Sequence, residues 1–297
     1  SKVTIWSDNK ILYKENFANK GFLSSTSPGL VFGLNNYEVI DSMLVQWPSG
    51  KAQKLYSIKG NKILNLYEKD ARSKNRIKHK SKIPIFNDYT EKITPKIFHK
   101  ENIFNDFNRE PLIPYMLSNE GPALAVADIN LDGFQDLFLG SSSFNKSRIF
   151  MGSENGNFSL VHNHEIYNDS LSEDVDALFF DADNDKDLDL YVVSGGNEFP
   201  LRYKSIRDRL YILNDKGIYE LDTFSLPKIY QNGSIVRASD FDNDGDVDLF
   251  LGGRSIPGKY GFPPKHYLLE NDGKGKFRIN DKITFENQGM VTDATWV

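Results

Sequence analysis

The stretch Asp240-Phe-Asp-Asn-Asp-Gly-Asp-Val-Asp248 places aspartates at positions 1, 3, 5 and 9, with Gly245 at position 6. Carboxylates on alternate residues do not pack in a core, because each buried charge needs a partner. Wrapped around a hard cation, the same residues become oxygen ligands. Glycine at position 6 supplies the sharp turn, and the backbone carbonyl of Asp246 fills a further coordination place. The pattern recurs at Asp128-Ile-Asn-Leu-Asp-Gly-Phe-Gln-Asp136 and at Asp181-Ala-Asp-Asn-Asp-Lys-Asp-Leu-Asp189. Three copies in one chain argue against solvated acidic turns.

The flanks of the loops repeat as well. A β-type segment precedes each one: Leu124 and Val126 among alanines, Ala177-Leu-Phe-Phe180, and Ile235, Val236 and Ala238. Each is followed by Asp-Leu-Phe-Leu-Gly140, Asp-Leu-Tyr-Val-Val-Ser-Gly195 or Asp-Leu-Phe-Leu-Gly252. An apolar strand, a glycine turn and an aromatic come next. They run from Ile149 to Gly156 and Phe158, from Leu210 to Gly217 and Tyr219, and from Tyr267 to Gly273 and Phe277. That is a hairpin in register with every loop. The loops start 53 residues apart (128 to 181) and then 59 apart (181 to 240). Four-strand units of this kind cannot close a core alone and must stack. Radial stacking into a β-propeller leaves only short, protected edges. The segment Gly289–Val297 reads as the strand before a fourth loop. The expectation is therefore about three blades plus the start of a fourth, with further blades supplied by chain outside residues 1–297.

The flanks also decide which calcium loop this is. An EF-hand needs a bidentate glutamate at position 12 and helices on both sides. Position 12 here is Leu139, Val192 or Leu251, each inside a β-type run. The pattern instead resembles the strand–loop–strand site of FG-GAP/VCBS repeats, the blades of integrin-α-like propellers. The resemblance covers roughly residues 85–297. It implies an extracytoplasmic binding or adhesion role, structural calcium, and no catalysis by the repeats themselves. Position by position, it implies side-chain ligands from Asp128, Asn130, Asp132 and Asp136 in the first loop. Asp181, Asp183, Asp185 and Asp189 serve the second, and Asp240, Asp242, Asp244 and Asp248 the third. Backbone carbonyls come from Phe134, Asp187 and Asp246, giving about three Ca2+ ions in all. The second loop departs from the pattern, with Lys186 where the others have Gly133 and Gly245. A lysine held at positive φ costs on the order of 1 kcal/mol, but four carboxylates remain and the site is expected to bind.

Residues 1–69 read as a small β module. Val3 and Ile5 alternate with polar neighbours, as do Ile11 and Tyr13. Met43, Val45 and Trp47 share a face, and Ile63, Leu64 and Leu66 suggest a closing strand. Gly21-Phe-Leu-Ser-Ser-Thr-Ser-Pro28, Phe32-Gly-Leu34, Asp41-Ser42 and Val45-Gln-Trp-Pro-Ser-Gly50 resemble the ASPIC/UnbV module, which accompanies calcium-loop propellers in cartilage-acidic-protein-like chains. Residues 69–82 carry seven Lys/Arg and almost nothing apolar. Like charges at that density extend the chain, so 70–82 reads as a basic linker between the module and a second domain, 83–297. No aromatic interleaves these cations, which argues against nucleic acid as the partner.

Composition sets the remaining bounds. Hydrophobic content of 39% with 13% aromatics is ample for buried cores. No apolar run reaches the roughly 18 residues of a membrane span. The eleven carboxylates expected as side-chain ligands in the loops more than account for the net charge of −5; without them the chain is +6. The acidity thus belongs to the loops and does not ask for a basic partner. The absence of cysteine excludes disulfides and thiolate chemistry.

Enzyme motifs are few. Gly-x-Ser-x-Gly and Gly-x-Gly-x-x-Gly are absent. His162 and His164 are two apart and would face one way on a strand, as a pair of transition-metal ligands does. Glu198, Phe199, Arg202 and Tyr203 in one inter-strand loop, and Arg254, Tyr260, Phe262 and His266 in another, offer groups that bind sugars. The sequence reading is a secreted or cell-surface calcium-binding scaffold with a protein or glycan ligand. A polysaccharide lyase or hydrolase using the central face is the alternative.

Overall fold

Strict alternation in Lys2–Ser7 buries Val3 and Ile5 on one face, and this strand, β1, leads the amino-terminal unit. The computed structural model describes the chain apart from residues 9, 18, 22–23, 26–28, 75–85, 87, 89, 91–92, 94, 163 and 286–287. The described residues divide into two compact units, Ser1–Asn87 and Asp88–Val297.

In the first unit β1 pairs with β2 (Lys10–Glu15), and a short ribbon joins β3 (Asn19–Gly21) to β4 (Ser24–Ser25). Then come β5 (Val39–Gln46), β6 (Lys51–Lys59) and β7 (Ser73–Lys74). The main sheet is antiparallel in the order β2-β1-β5-β6-β7. Val3, Ile5, Ile40, Met43, Val45 and Ile58 form its core, with Trp47 packed on the edge, so the shared face read for Met43, Val45 and Trp47 holds. The Trp-Pro-Ser-Gly turn closes by a bond from Gly50 N to Trp47 O at 2.9 Å, with Gly50 at φ +82°. The closing strand expected at Ile63–Leu66 is not there. Residues 60–67 contain no strand and Ile63 is fully exposed. Of this run only Leu66 packs on the core. Most of the basic stretch 70–82, and Ile83–Ile85, lie outside the described residues.

In the second unit each loop joins the first two strands of a four-stranded antiparallel blade. Blade one is β8 (Leu124–Ala127), β9 (Asp136–Leu139), β10 (Arg148–Gly152) and β11 (Phe158–Val161). A helix, α1 (His164–Asn168), leads to blade two: β12 (Glu173–Phe180), β13 (Asp189–Gly195), β14 (Arg209–Leu213) and β15 (Tyr219–Asp222). Blade three is β16 (Asn232–Ser239), β17 (Asp248–Ser255), β18 (Tyr267–Asn271) and β19 (Phe277–Ile279). The first strand of blade two packs against those of blades one and three.

Strand periodicity explains the stacking. Every residue of β13 is buried. Leu190 and Val192 belong to the cluster shared with blade one, through Phe138 and Ile149. Tyr191 and Val193 belong to the cluster shared with blade three, through Val236, Leu249 and Leu251. The period of two thus hands alternate side chains to opposite neighbours, each worth about 1.5–3 kcal/mol of apolar burial. The molecule is all-β, a small β module and three propeller-like blades. Residues 288–297 carry no strand, but they run beside blade three. Val291 N donates to Gly253 O at 3.1 Å, the register in which Asp174 N of blade two donates to Ser141 O of blade one at 2.9 Å.

Candidate metal centres

The three loops share one backbone course. Position 6 is left-handed in all of them: Gly133 at φ +90°, Lys186 at +80° and Gly245 at +96°. Lysine therefore holds the conformation that glycine adopts freely. Position 4 is left-handed too, at Leu131 (φ +58°), Asn184 (+65°) and Asn243 (+62°). Asparagine tolerates that region and leucine does not. The first loop thus carries strain that the ligand pattern does not reveal.

Short hydrogen bonds preset the carboxylates. Asp128 Oδ2 accepts from Gly133 N at 2.8 Å, Asp181 Oδ2 from Lys186 N at 3.1 Å and Asp240 Oδ2 from Gly245 N at 3.1 Å. At position 5, Asp132, Asp185 and Asp244 each accept from the N–H of position 7 at 2.9 Å. Asp181, Asp183 and Asp189 bring one carboxylate oxygen each within 4.8 Å of one another, as do Asp240, Asp242 and Asp244. Asp185 and Asp248 lie outside these trios, and the first loop forms none among the described residues. There the side-chain amide of Asn130 donates to Asp132 Oδ2 at 2.9 Å.

Position 9 does something the pattern did not announce. Asp136, Asp189 and Asp248 are buried, and both oxygens of each accept backbone N–H groups. One donor is position 2 of the same loop: Ile129 at 2.9 Å, Ala182 at 2.9 Å and Phe241 at 3.1 Å. The other lies on the third strand or at its end: Gly152 at 2.8 Å, Leu213 at 2.9 Å and Asn271 at 2.9 Å. These aspartates pin loop to blade. Burial, opposed by those N–H bonds, pushes Asp189 up to about 7, with Asp183 and Asp187 adding like charge. Burial and then Asp185 push Asp187 up to about 6.

The donor set suits a hard cation. It is oxygen only, and in the second loop Asp181 Oδ1 and Asp187 Oδ1 are buried without a hydrogen-bond partner among the described residues. Calcium takes 6–8 such oxygens, so the residues present fit it. The backbone carbonyls expected as ligands, those of Phe134, Asp187 and Asp246, stand at position 7, just past the left-handed residue.

The groups read as sugar-binding are largely engaged elsewhere. Phe199 and Tyr203 stack on each other at 4.9 Å. Arg254 Nε donates to Glu120 Oε1 at 2.9 Å, and its Nη2 bonds the Tyr115 hydroxyl. His266 is buried, accepting from Gly253 N at 3.0 Å, with Nε2 3.1 Å from Gly289 O. Glu110 Oε1 accepts from Tyr260 N at 2.8 Å; Phe262 is exposed. The shared strand read for His162 and His164 is not formed, because His164 opens α1. The ring of His162 instead meets Tyr167 edge-on, and the side chain of His164 is outside the described residues.

A small β module followed by stacked blades with acidic strand–loop–strand turns defines a class of repeat protein. Residues 1–73 match the ASPIC and UnbV family, and residues 128–192 and 181–251 match the FG-GAP-like repeat. Each repeat match starts on the first aspartate of a loop and runs into the strand after the next loop. The chain thus carries an ASPIC/UnbV module and FG-GAP-like repeats. No curated protein matches it. Among the described residues, no helix is long and apolar enough to cross a membrane.

Proposed function

We propose that this chain is an extracytoplasmic calcium-binding repeat protein whose blades act as a binding or adhesion scaffold, with calcium structural and the ligand a protein or glycan. The observation that carries the reading is where the loops stand. Each joins the first two strands of a blade, and its ninth aspartate is fastened to the third strand or its end. An ion gathered there holds strands together rather than facing a substrate cleft. FG-GAP-like repeats support a scaffold of this kind, and the reading extends the resemblance to integrin-α-like and cartilage-acidic-protein-like chains.

The test has two arms. Calorimetry with and without calcium should show a large drop in melting temperature for the Asp88–Val297 unit and little change for Ser1–Asn87. For a dissociation constant near ~10 μM, about 1 mM calcium adds roughly 2.7 kcal/mol by mass action. Immobilised protein should then retain members of a glycan and matrix-protein panel without cleaving them. A calcium-indifferent transition counts against structural calcium. Released cleavage products count against a scaffold.

A further inference from the structure

The first strand of each blade starts at the end away from its loop, and a polar residue sits eight positions before each first aspartate: Glu120 before 128, Glu173 before 181 and Asn232 before 240. In blade two this start lies about 23 Å from the loop, at roughly 3.3 Å per residue of strand. The three positions are equivalent but are treated differently. Glu120 is held by Arg254 at 2.9 Å, and Asn232 is neutral, donating to Ser255 Oγ at 3.0 Å. Glu173 is 1% exposed and has no basic partner among the described residues.

Around Glu173 the free groups are acceptors apart from the Ser143 hydroxyl, which is buried and unpartnered among the described residues. Its Oε2 takes Ser143 N at 2.9 Å, while Oε1 has no partner among the described residues. Glu198 lies across Gly196: a Cβ on that glycine would be 2.3 Å from Glu198 Oε2 and 3.0 Å from Glu173 Cβ. Glu198 accepts from Asn102 Nδ2 at 3.0 Å and from Asn197 N at 2.9 Å. The amide nitrogen of Asn197 is taken up by Glu110 Oε2 at 2.8 Å. Both asparagines therefore leave their side-chain oxygens buried and unpartnered among the described residues, as Glu101 leaves Oε2. Arg109 donates through Nη1 to the backbone carbonyls of Asn197 and Phe199 rather than to these carboxylates.

We propose that Glu173 and Glu198, with the side-chain oxygens of Asn102 and Asn197, form a further divalent-cation site, distinct from the three loops and suited to calcium. Three buried oxygens without a donor exceed what the single Ser143 hydroxyl can satisfy. A hard cation takes six to eight oxygens and neutralises the two carboxylates. Unpartnered buried oxygens also mark the second loop, at Asp181 and Asp187, where oxygen ligation is expected on independent grounds. Electrostatics points the same way. Without an ion, burial, and then the carboxylates of Glu198, Glu101 and Asp174, push Glu173 up to about 9 against the Ser143 N–H bond.

The experiment compares bound metal in the full chain with that in Glu173→Gln and Glu198→Gln, amides of the same shape. Each protein is dialysed against millimolar calcium and counted by elemental analysis, with circular dichroism as the fold check. Each variant is expected to hold one ion fewer per chain than the parent. The absolute count reports on the loops; the difference reports on this site alone. An unchanged count in either folded variant overturns the proposal, and if one variant does not fold the other decides. In calcium-free buffer Glu173→Gln should melt higher than the parent, because it removes an uncompensated buried acid. A lower melting temperature there, in a folded variant, also overturns the proposal.

Discussion

Asn184, the fourth residue of the second loop, donates its side-chain amide to Asp246 Oδ1, the seventh residue of the third, at 2.6 Å. A second strut runs the other way, from Asn271 Nδ2 to the Ala182 carbonyl at 2.8 Å. Two loops in adjacent blades are thereby tied at their tips. Because Asp246 also supplies the backbone carbonyl expected to face the third ion, ordering one loop helps order the other. Asn184→Ala and Asp246→Ala should be non-additive in calcium, with a coupling of about 0.5–1 kcal/mol. Simple additivity in thermal or urea melts would show that the strut carries no energy.

Positions 5 and 9 of a loop should separate when calcium is removed. Asp189→Ala leaves two buried N–H groups, of Ala182 and Leu213, without acceptors. That costs about 2–6 kcal/mol even when calcium is absent. Asp185 is exposed and is expected to meet the ion. Asp185→Ala should be strongly destabilising in calcium and nearly neutral in chelator. Equal losses for Asp185→Ala in both buffers would mean that its carboxylate works for the fold alone.

The loops should also differ in strength, with the third holding its ion most tightly. The first has Asn130 in place of an acid, an amide bonded to Asp132, and Leu131 at positive φ. The second has Lys186 at positive φ. Asp244→Ala should therefore cost more than Asp132→Ala in calcium. Lys186→Gly and Leu131→Asn should each stabilise by about 1 kcal/mol, as relief of left-handed strain requires. Melting curves of these four variants check the ranking, and a reversed order removes its basis.

The repeat is legible in the sequence because its information is local. Alternating aspartates, the turn residue and the apolar strands on either side all fall within a few residues of one another. The fourth position was half-written: Asn184 and Asn243 suit a left-handed residue, but Leu131 hides the rule. The ninth position was read only as a ligand. Its third-strand partners stand 16, 24 and 23 residues away, and no local pattern encodes such a pairing. The run Ile63–Leu66 misled for the opposite reason. Its composition favours a strand, yet Ile63 is exposed and only Leu66 packs on the core. Glu120, Glu173 and Asn232 did leave a signal in their constant spacing ahead of the loops, but what distinguishes them is Arg254, far along the chain.

Asp208 gives the blades a pH dependence that is independent of the loops. Its side chain accepts from Tyr191 Oη at 2.9 Å and from Ser194 N at 2.9 Å, tying the turn before β14 to β13. Burial, opposed by these two bonds and by Arg209 and Arg207, pushes it up to about 6 from the ordinary 3.8. Between those values the folded chain holds a proton that the unfolded chain has released. The folded state therefore loses relative stability as pH rises from about 4 to about 6, and the loss is complete above that. At about 1.4 kcal/mol per unit, the cost at neutral pH is on the order of 2–3 kcal/mol. Asp208→Asn removes the charge and keeps both contacts, its oxygen taking Ser194 N–H and its amide donating to Tyr191 Oη. The variant should match the parent near pH 4 and exceed it in stability by up to that amount near pH 8. Urea melts of both proteins at fixed calcium across this range decide the matter. A stability difference that does not change with pH would mean that Asp208 is charged in the fold throughout.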